Sequence, residues 1–300
     1  MVNSRRFRII DALLIALIVC PLIFAIVLKV LTNPQSEGIA ISGAVIYFTI
    51  PLPKWDLPIT ETQANSWLIL ISIFGLCLYL THGLSPTVKT KRQHLAEFIV
   101  TKTESLVHEN MGDFFSGFAP FIGAILALSA FSSLSSLLGI FPPTSDLNVI
   151  AGWAILVFAL ITYYKLKCGF GYYVKSFTEP IAFLTPFNII GEIATPVSMT
   201  FRHYGNIVAG SVISALIAAG LRVVSSWIFG WLPGAIGEFP LLQIGLPAIL
   251  SVYFDVFSGC LQAFIFSILT MVNISGGFDF DIYTSRKNKK LNKNKRTQNI

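Results

Sequence analysis

Apolar runs long enough to cross a membrane alternate with short polar segments along the whole chain. Residues 9–31 form the first run, interrupted only by Asp11 at its start and Lys29 near its end. Residues 67–81, 120–141 and 149–164 each read as a further crossing helix. Residues 185–231 are one long apolar stretch entered through Pro186. Residues 241–274 return after a turn, residues 232–240, that carries Glu238. The pattern predicts an all-α, polytopic membrane protein with about six membrane helices. A helix of about 45 residues is roughly 65–70 Å long, while the hydrocarbon core is about 30 Å thick. The last two helices are therefore expected to form a long, tilted hairpin, able to wrap a curved partner.

The polar segments have distinct characters. Residues 33–65 hold Pro34, Pro51, Pro53 and Pro58, the acids Glu37, Asp56 and Glu61, and one interior base, Lys54. They are expected outside the cell, with a short strand over residues 44–50. Residues 86–117 are charged, but Leu95, Phe98, Ile99, Leu106 and Val107 recur at roughly helical intervals. That spacing predicts an amphipathic interfacial helix on the inner membrane surface. Residues 276–300 contain RKNKKLNKNKR and read as a solvated, disordered basic tail. The chain thus divides into an N-terminal membrane helix (1–32), an extracytoplasmic segment (33–65), a membrane domain (66–275) and the tail (276–300).

Composition agrees: 54% of residues are hydrophobic and 12% charged, against about 25% charged in soluble domains. The net charge of +6 marks topology rather than affinity for nucleic acid. Arg5, Arg6 and Arg8, then Lys89, Lys91, Arg92 and Lys102, then Lys165, Lys167 and Lys175, and the seven bases of the tail fall on one side when the spans alternate. These are 17 of the 21 Lys and Arg, so both termini are expected in the cytoplasm. The first run exceeds the 7–15 residues or so of a signal-peptide core and no A-x-A site follows, so it reads as an uncleaved helix. Cys20, Cys77, Cys168 and Cys260 are dispersed in or beside apolar runs and have no metal spacing. No G-x-x-x-x-G-K-[ST] loop is present. No cofactor, metal or nucleotide is expected, and the chain is not an enzyme on its own.

The long hairpin carries a small polar set: Glu192, Arg202, His203, Asn206, Ser211, Arg222, Gln243, Asp255 and Gln262. Arg202 stands near the middle of its helix. Burying a guanidinium at that depth costs roughly 2.5–3.5 kcal/mol on insertion scales, and Arg cannot lose its proton to escape. It must meet an anion or a wet cavity. Ser198, Arg202, Gly205 and Ala209 follow 4-3-4 spacing and share one face, small apart from the guanidinium. That suggests a surface that something slides past. Antiparallel alignment with Gln262 level with Arg202 places Asp255 near Ser211 on the outer side and leaves Glu192 on the inner side. Two carboxyls, one on either side of a fixed positive charge, can form two proton paths that do not join. Arg222, about 30 Å further along the axis, reads as snorkelling to the outer interface. His203 reads as a satisfied interhelix hydrogen bond. Asp146 in the turn PPTSDLN suits equally a helix cap and the outer entrance.

These residues carry a family resemblance. PVSMTFRHYGNIVAG around Arg202 resembles the essential-arginine motif of subunit a of the F-type ATP synthase. FDVFSGCLQAFIFSILTMVNIS resembles that family's closing helix, and PPTSDLN its P-T-x-D-L-N turn. The similarity spans about residues 62–275. It implies a stator subunit that offers protons two offset half-channels to a rotating ring of c subunits. Arg202 would face the ring carboxylate, with Asn206 and Gln262 flanking it. Glu192 would serve the cytoplasmic half-channel, and Asp255 the outer one. Partners implied are the c-ring, the peripheral-stalk subunit b, the rest of the complex and the lipid bilayer, in a bacterial plasma membrane. Four positions depart from the pattern. Ser211 stands where many members have Glu, Asp255 where His, Glu or a small residue is common, His203 for Leu and Asn273 for Tyr. The outer carboxyl is thus expected to have moved between facing helices. The alternatives are a Na⁺-coupled version of the same subunit and an ion-coupled secondary transporter. The latter usually shows internal repeats and broken helices, and no second copy of the Arg202 segment exists.

Overall fold

The computed structural model describes residues 4–32, 44–51, 53, 56–86, 90–179, 181–229, 249–250 and 252–298. Lys54, Lys89, Glu238, Gln243 and the turn between the two long helices lie outside these residues. Among the described residues six helical segments are long and apolar enough to cross a membrane, and the chain is a multi-pass membrane protein. Helix α1 (Ser4–Thr32) is followed by a two-stranded antiparallel hairpin, β1 (Ile46–Pro51) and β2 (Asp56–Thr60). Its register pairs Phe48 with Ile59 and Pro51 with Asp56, with an irregularity between Ile46 and Phe48. Then come α2 (Glu61–Thr81), α3 (Lys91–Met111), α4 (Ala119–Leu134), α5 (Leu147–Cys168), the short α6 (Phe170–Thr178) and α7 (Thr185–Phe229). A π-helical turn (Val252–Ser258) leads into α8 (Gly259–Gly276), and α9 (Phe280–Gln298) ends the chain.

Helix α8 is the centre of the bundle. Gly259, Ala263 and Ser267 recur every four residues on its buried face, and α4 presents Ser129, Ser132 and Ser133. In lipid there is little hydrophobic drive between helices, so close backbone approach between small residues supplies the packing. On α8 the buried hydroxyls are satisfied within the helix, Ser267 donating to the Ala263 carbonyl at 2.9 Å and Thr270 to that of Phe266 at 2.8 Å, whereas the Ser133 hydroxyl on α4 is buried without a partner among the described residues. Below this seam lies a core of Val107, Met111, Phe115, Ile122, Val157, Ile161, Met199, Phe266 and Met271. A methyl group on Gly259 would lie 2.6 Å from Ser133 Cβ. Gly259→Leu is therefore expected to separate α4 from α8 and cost about 1–3 kcal/mol or more, read as a lowered melting temperature of the detergent-solubilised protein.

Helix α1 packs on α2, where Gly75 admits Leu17 and Ile18. Ser72 donates to the Ile18 carbonyl at 3.0 Å. At the other end Asp11 accepts from Arg92 Nη1 at 2.8 Å and lies 3.3 Å from His82 Nδ1. The Arg92 guanidinium also covers the rings of Phe7 and Tyr79. The helix expected over residues 86–117 is α3, but its apolar side is divided. Val107 and Met111 are buried in the core, whereas Leu95, Phe98 and Ile99 remain exposed.

The tail differs from the expectation of disorder. Asp279 accepts from the backbone N–H groups of Asp281 and Ile282, both at 3.0 Å, and so starts α9. Phe278 and Tyr283 pack on Phe114. A capping carboxylate and docked aromatics outweigh the charge run that favours solvation.

Candidate functional site

Helix α7 carries the candidate residues. It is 45 residues long and has the least covered of the six apolar segments, with 6% of its most apolar window buried against 28% for the segments that hold α4 and α8. One side packs inward through Met199, Thr200 and His203. The His203 ring lies edge-on to Trp153 and Phe266, and Nε2 is 3.3 Å from Ser129 Oγ. The opposite side is open. Ser198, Arg202, Gly205 and Ala209 are all exposed on it, beside the exposed Val197 and Phe201. A side chain at Gly205 would meet nothing within 4 Å. Among the described residues, no hydrogen bond or ion pair holds Arg202. Among the described residues the Arg202 side chain is exposed.

Two cavities lie along α7 on either side of Arg202. The first, about 580 Å³, is lined by Glu192, Lys165, Tyr172, Asn188, Thr195 and Asn273, among others. Glu192 is held there, with Oε1 3.0 Å from Lys165 Nζ and 3.4 Å from the Tyr173 hydroxyl that donates to it. Burial, and then the Glu192 charge, raise the Tyr173 phenol above its usual range, so it stays a donor. Pro196 has no N–H for the Glu192 carbonyl, leaving a backbone acceptor close to this carboxylate. The second cavity, about 470 Å³, is lined by Asp255, Ser211, Tyr204, Ser136, Ser145 and Lys29, among others. A narrower cleft shares Asp255 and Ser136 with it and is also lined by Asn206 and Gly259. Arg202 lines neither cavity. It lies about 15 Å along the axis from Glu192 and about 14 Å from Ser211.

The model of the family described as ATP synthase A chain matches residues 64–275. The chain belongs to that family. Its relatives include the ATP synthase subunit a of Desulforamulus reducens, 33% identical over 72% of this chain and 78% of the relative. That of Priestia megaterium is 31% identical over 73% and 93%. The "ATP synthase subunit a, sodium ion specific" of Propionigenium modestum is 27% identical over 79% and 85%. As a member of the ATP synthase A chain family, the protein is a non-catalytic membrane subunit of the ATP synthase, and the secondary-transporter alternative falls away. Helix α1 and the β-hairpin precede the matched residues.

In this member of the family the individual site residues fall into place unevenly. Asp255 and Ser211 share a cavity, and Glu192 occupies another. Asn206 donates to Ser258 Oγ at 2.8 Å and Gln262 is buried in the bundle; neither is hydrogen-bonded to Arg202. Asp255 itself stands in the π-helical turn Val252–Ser258, and Gln262 in the first turn of α8. Asp146 lies outside the lining of both cavities. Its Oδ1 accepts from the Asn148 N–H at 2.9 Å and its Oδ2 from the Thr62 hydroxyl at 2.8 Å. It is thus the cap of α5 and its tie to α2. Reading the sequence alone missed the roles of Lys165 and Tyr173 beside Glu192. Both sit at helix ends, where Lys165 served only as a topology marker.

Proposed function

We propose that this chain is the proton-conducting stator subunit of an F-type ATP synthase, offering two offset half-channels to a rotating c-ring. The observation that carries the proposal is the pair of cavities along α7, with Glu192 in one, Asp255 and Ser211 in the other, and Arg202 on the open face between them. The Glu192 cavity opens toward the cytoplasm, the side assigned to the basic loops and both termini. The Asp255 cavity opens outward, and the membrane is the bacterial plasma membrane. A proton enters one cavity, loads a carboxyl on the ring, and leaves through the other after rotation. Arg202 attracts the unloaded ring carboxylate and repels a cation that would pass straight between the cavities. Each charge crossing 100 mV supplies about 2.3 kcal/mol, and the ring turns this into torque. The stalk subunit b would hold the chain against that torque.

Sidedness tests this reading. In a background without the four native cysteines, Thr195→Cys is expected to react with a membrane-impermeant thiol reagent added on the cytoplasmic side. Ser145→Cys is expected to react with reagent added outside. Reaction of both from the same side would exclude two half-channels.

A Na⁺-coupled version has one observation in its favour, the relative whose name states sodium specificity. Protection of the complex by Na⁺ against a carbodiimide separates the two readings.

A further inference from the structure

The second cavity contains a charge that the family match does not cover. Its lining includes two charged groups among the described residues, Asp255 and Lys29. Lys29 belongs to α1, outside the matched residues 64–275. It lies in the last turn of that helix, and its ammonium donates to the Gly139 carbonyl rather than to Asp255. Gly139 closes the turn after α4 with φ +73°, so its carbonyl is a fixed backbone post. The packing of Leu17 and Ile18 on Gly75 sets the position of α1, and with it the height of Lys29.

We infer that α1 forms one wall of the outer entrance and that Lys29 is a specificity-determining charge there, biasing the cavity against metal cations. This inference rests on the half-channel reading above. The physical argument is local. A cleft with low-dielectric walls concentrates the field of a charge at its rim. An ammonium is a compact point charge that cannot spread. A metal cation needs several oxygen ligands at one place, and the ammonium both repels it and occupies the Gly139 carbonyl. A proton feels the same repulsion but needs no such ligand set, since it can be handed between the hydroxyl groups of Ser136, Ser145, Tyr204 and Ser211 and taken up covalently by the Asp255 carboxylate. The N-terminal helix thereby adds a filter to a path whose other groups come from the family's common core.

The test reads the field directly, without requiring transport. The assembled complex in intact cells carries Ser145→Cys in the background free of native cysteines. It is treated from outside with an anionic and a cationic methanethiosulfonate. The ratio of their rates is normalised to that at Phe48→Cys on the exposed hairpin, which also reports insertion. With Lys29 the normalised ratio is expected to favour the anionic reagent. It should fall at least threefold in Lys29→Gln, reverse in Lys29→Glu and persist in Lys29→Arg. A ratio that stays the same in all four forms overturns the role of Lys29 and leaves the half-channel reading standing. Absence of external labelling at Ser145→Cys, with Phe48→Cys labelled, overturns both.

Discussion

Inverted membrane vesicles whose complex carries Arg202→Ala will show no ATP-driven acidification, while the complex still assembles. The argument starts from what Arg202 lacks. Among the described residues it makes no hydrogen bond or ion pair within its own subunit, and it stands on the open face of α7. Removing it therefore breaks no described contact of the fold, and it relieves the cost of holding a guanidinium in lipid. What is lost is attraction to a charge on another chain. At 4 Å and an effective dielectric constant near 20, that attraction is about 4 kcal/mol, about a thousandfold in an equilibrium constant. A loss of that size lets the ring carboxylate drift and removes the barrier between the cavities. The measurement is quenching of a pH-sensitive dye on ATP addition, with the subunit quantified in the purified complex. Lys at position 202 keeps the charge but not the planar, weakly hydrated fork; it should restore only part of the activity.

The second large effect is at Asp255. Asp255→Asn is expected to reduce ATP-driven pumping at least about a hundredfold, on the scale of losing a positioned proton-transfer group. The substitution keeps size and hydrogen-bonding capacity but cannot take up or release a proton. Because Ser211 shares the cavity with Asp255, the carboxyl can be moved back across it. The double variant Asp255→Asn, Ser211→Glu should recover a substantial part of the lost rate. Full pumping in the single variant would show that outward protons pass without this carboxyl.

Much of this architecture is legible in the sequence, for physical reasons. A membrane imposes length and apolarity on each crossing helix, so the six segments stand out without any knowledge of packing. The exposure of Ser198, Arg202, Gly205 and Ala209 together follows from helical spacing alone, because α7 is a continuous helix. The π-helical turn at Val252–Ser258 is a different matter, because no periodicity rule foresees it. Pairs between distant segments are equally hidden. Lys165 and Glu192 are 27 positions apart and meet only because α5 and α7 pack. Asp146 shows a third limit. The motif pointed to the turn, but not to the hydrogen bond with Thr62, which depends on the packing of α2 beside the turn. The Asp279 cap of α9 is hidden in the same way, because a run of bases speaks of solvation and not of a carboxylate upstream of it.

The most direct measurement is passive proton flux through the purified Arg202→Ala complex in liposomes, under an imposed potential and without nucleotide. The account predicts flux well above that of the native complex, because the two cavities are no longer kept apart by a fixed charge, together with ATP hydrolysis that no longer drives pumping. Native-level passive flux combined with full ATP-driven pumping in that variant would contradict it.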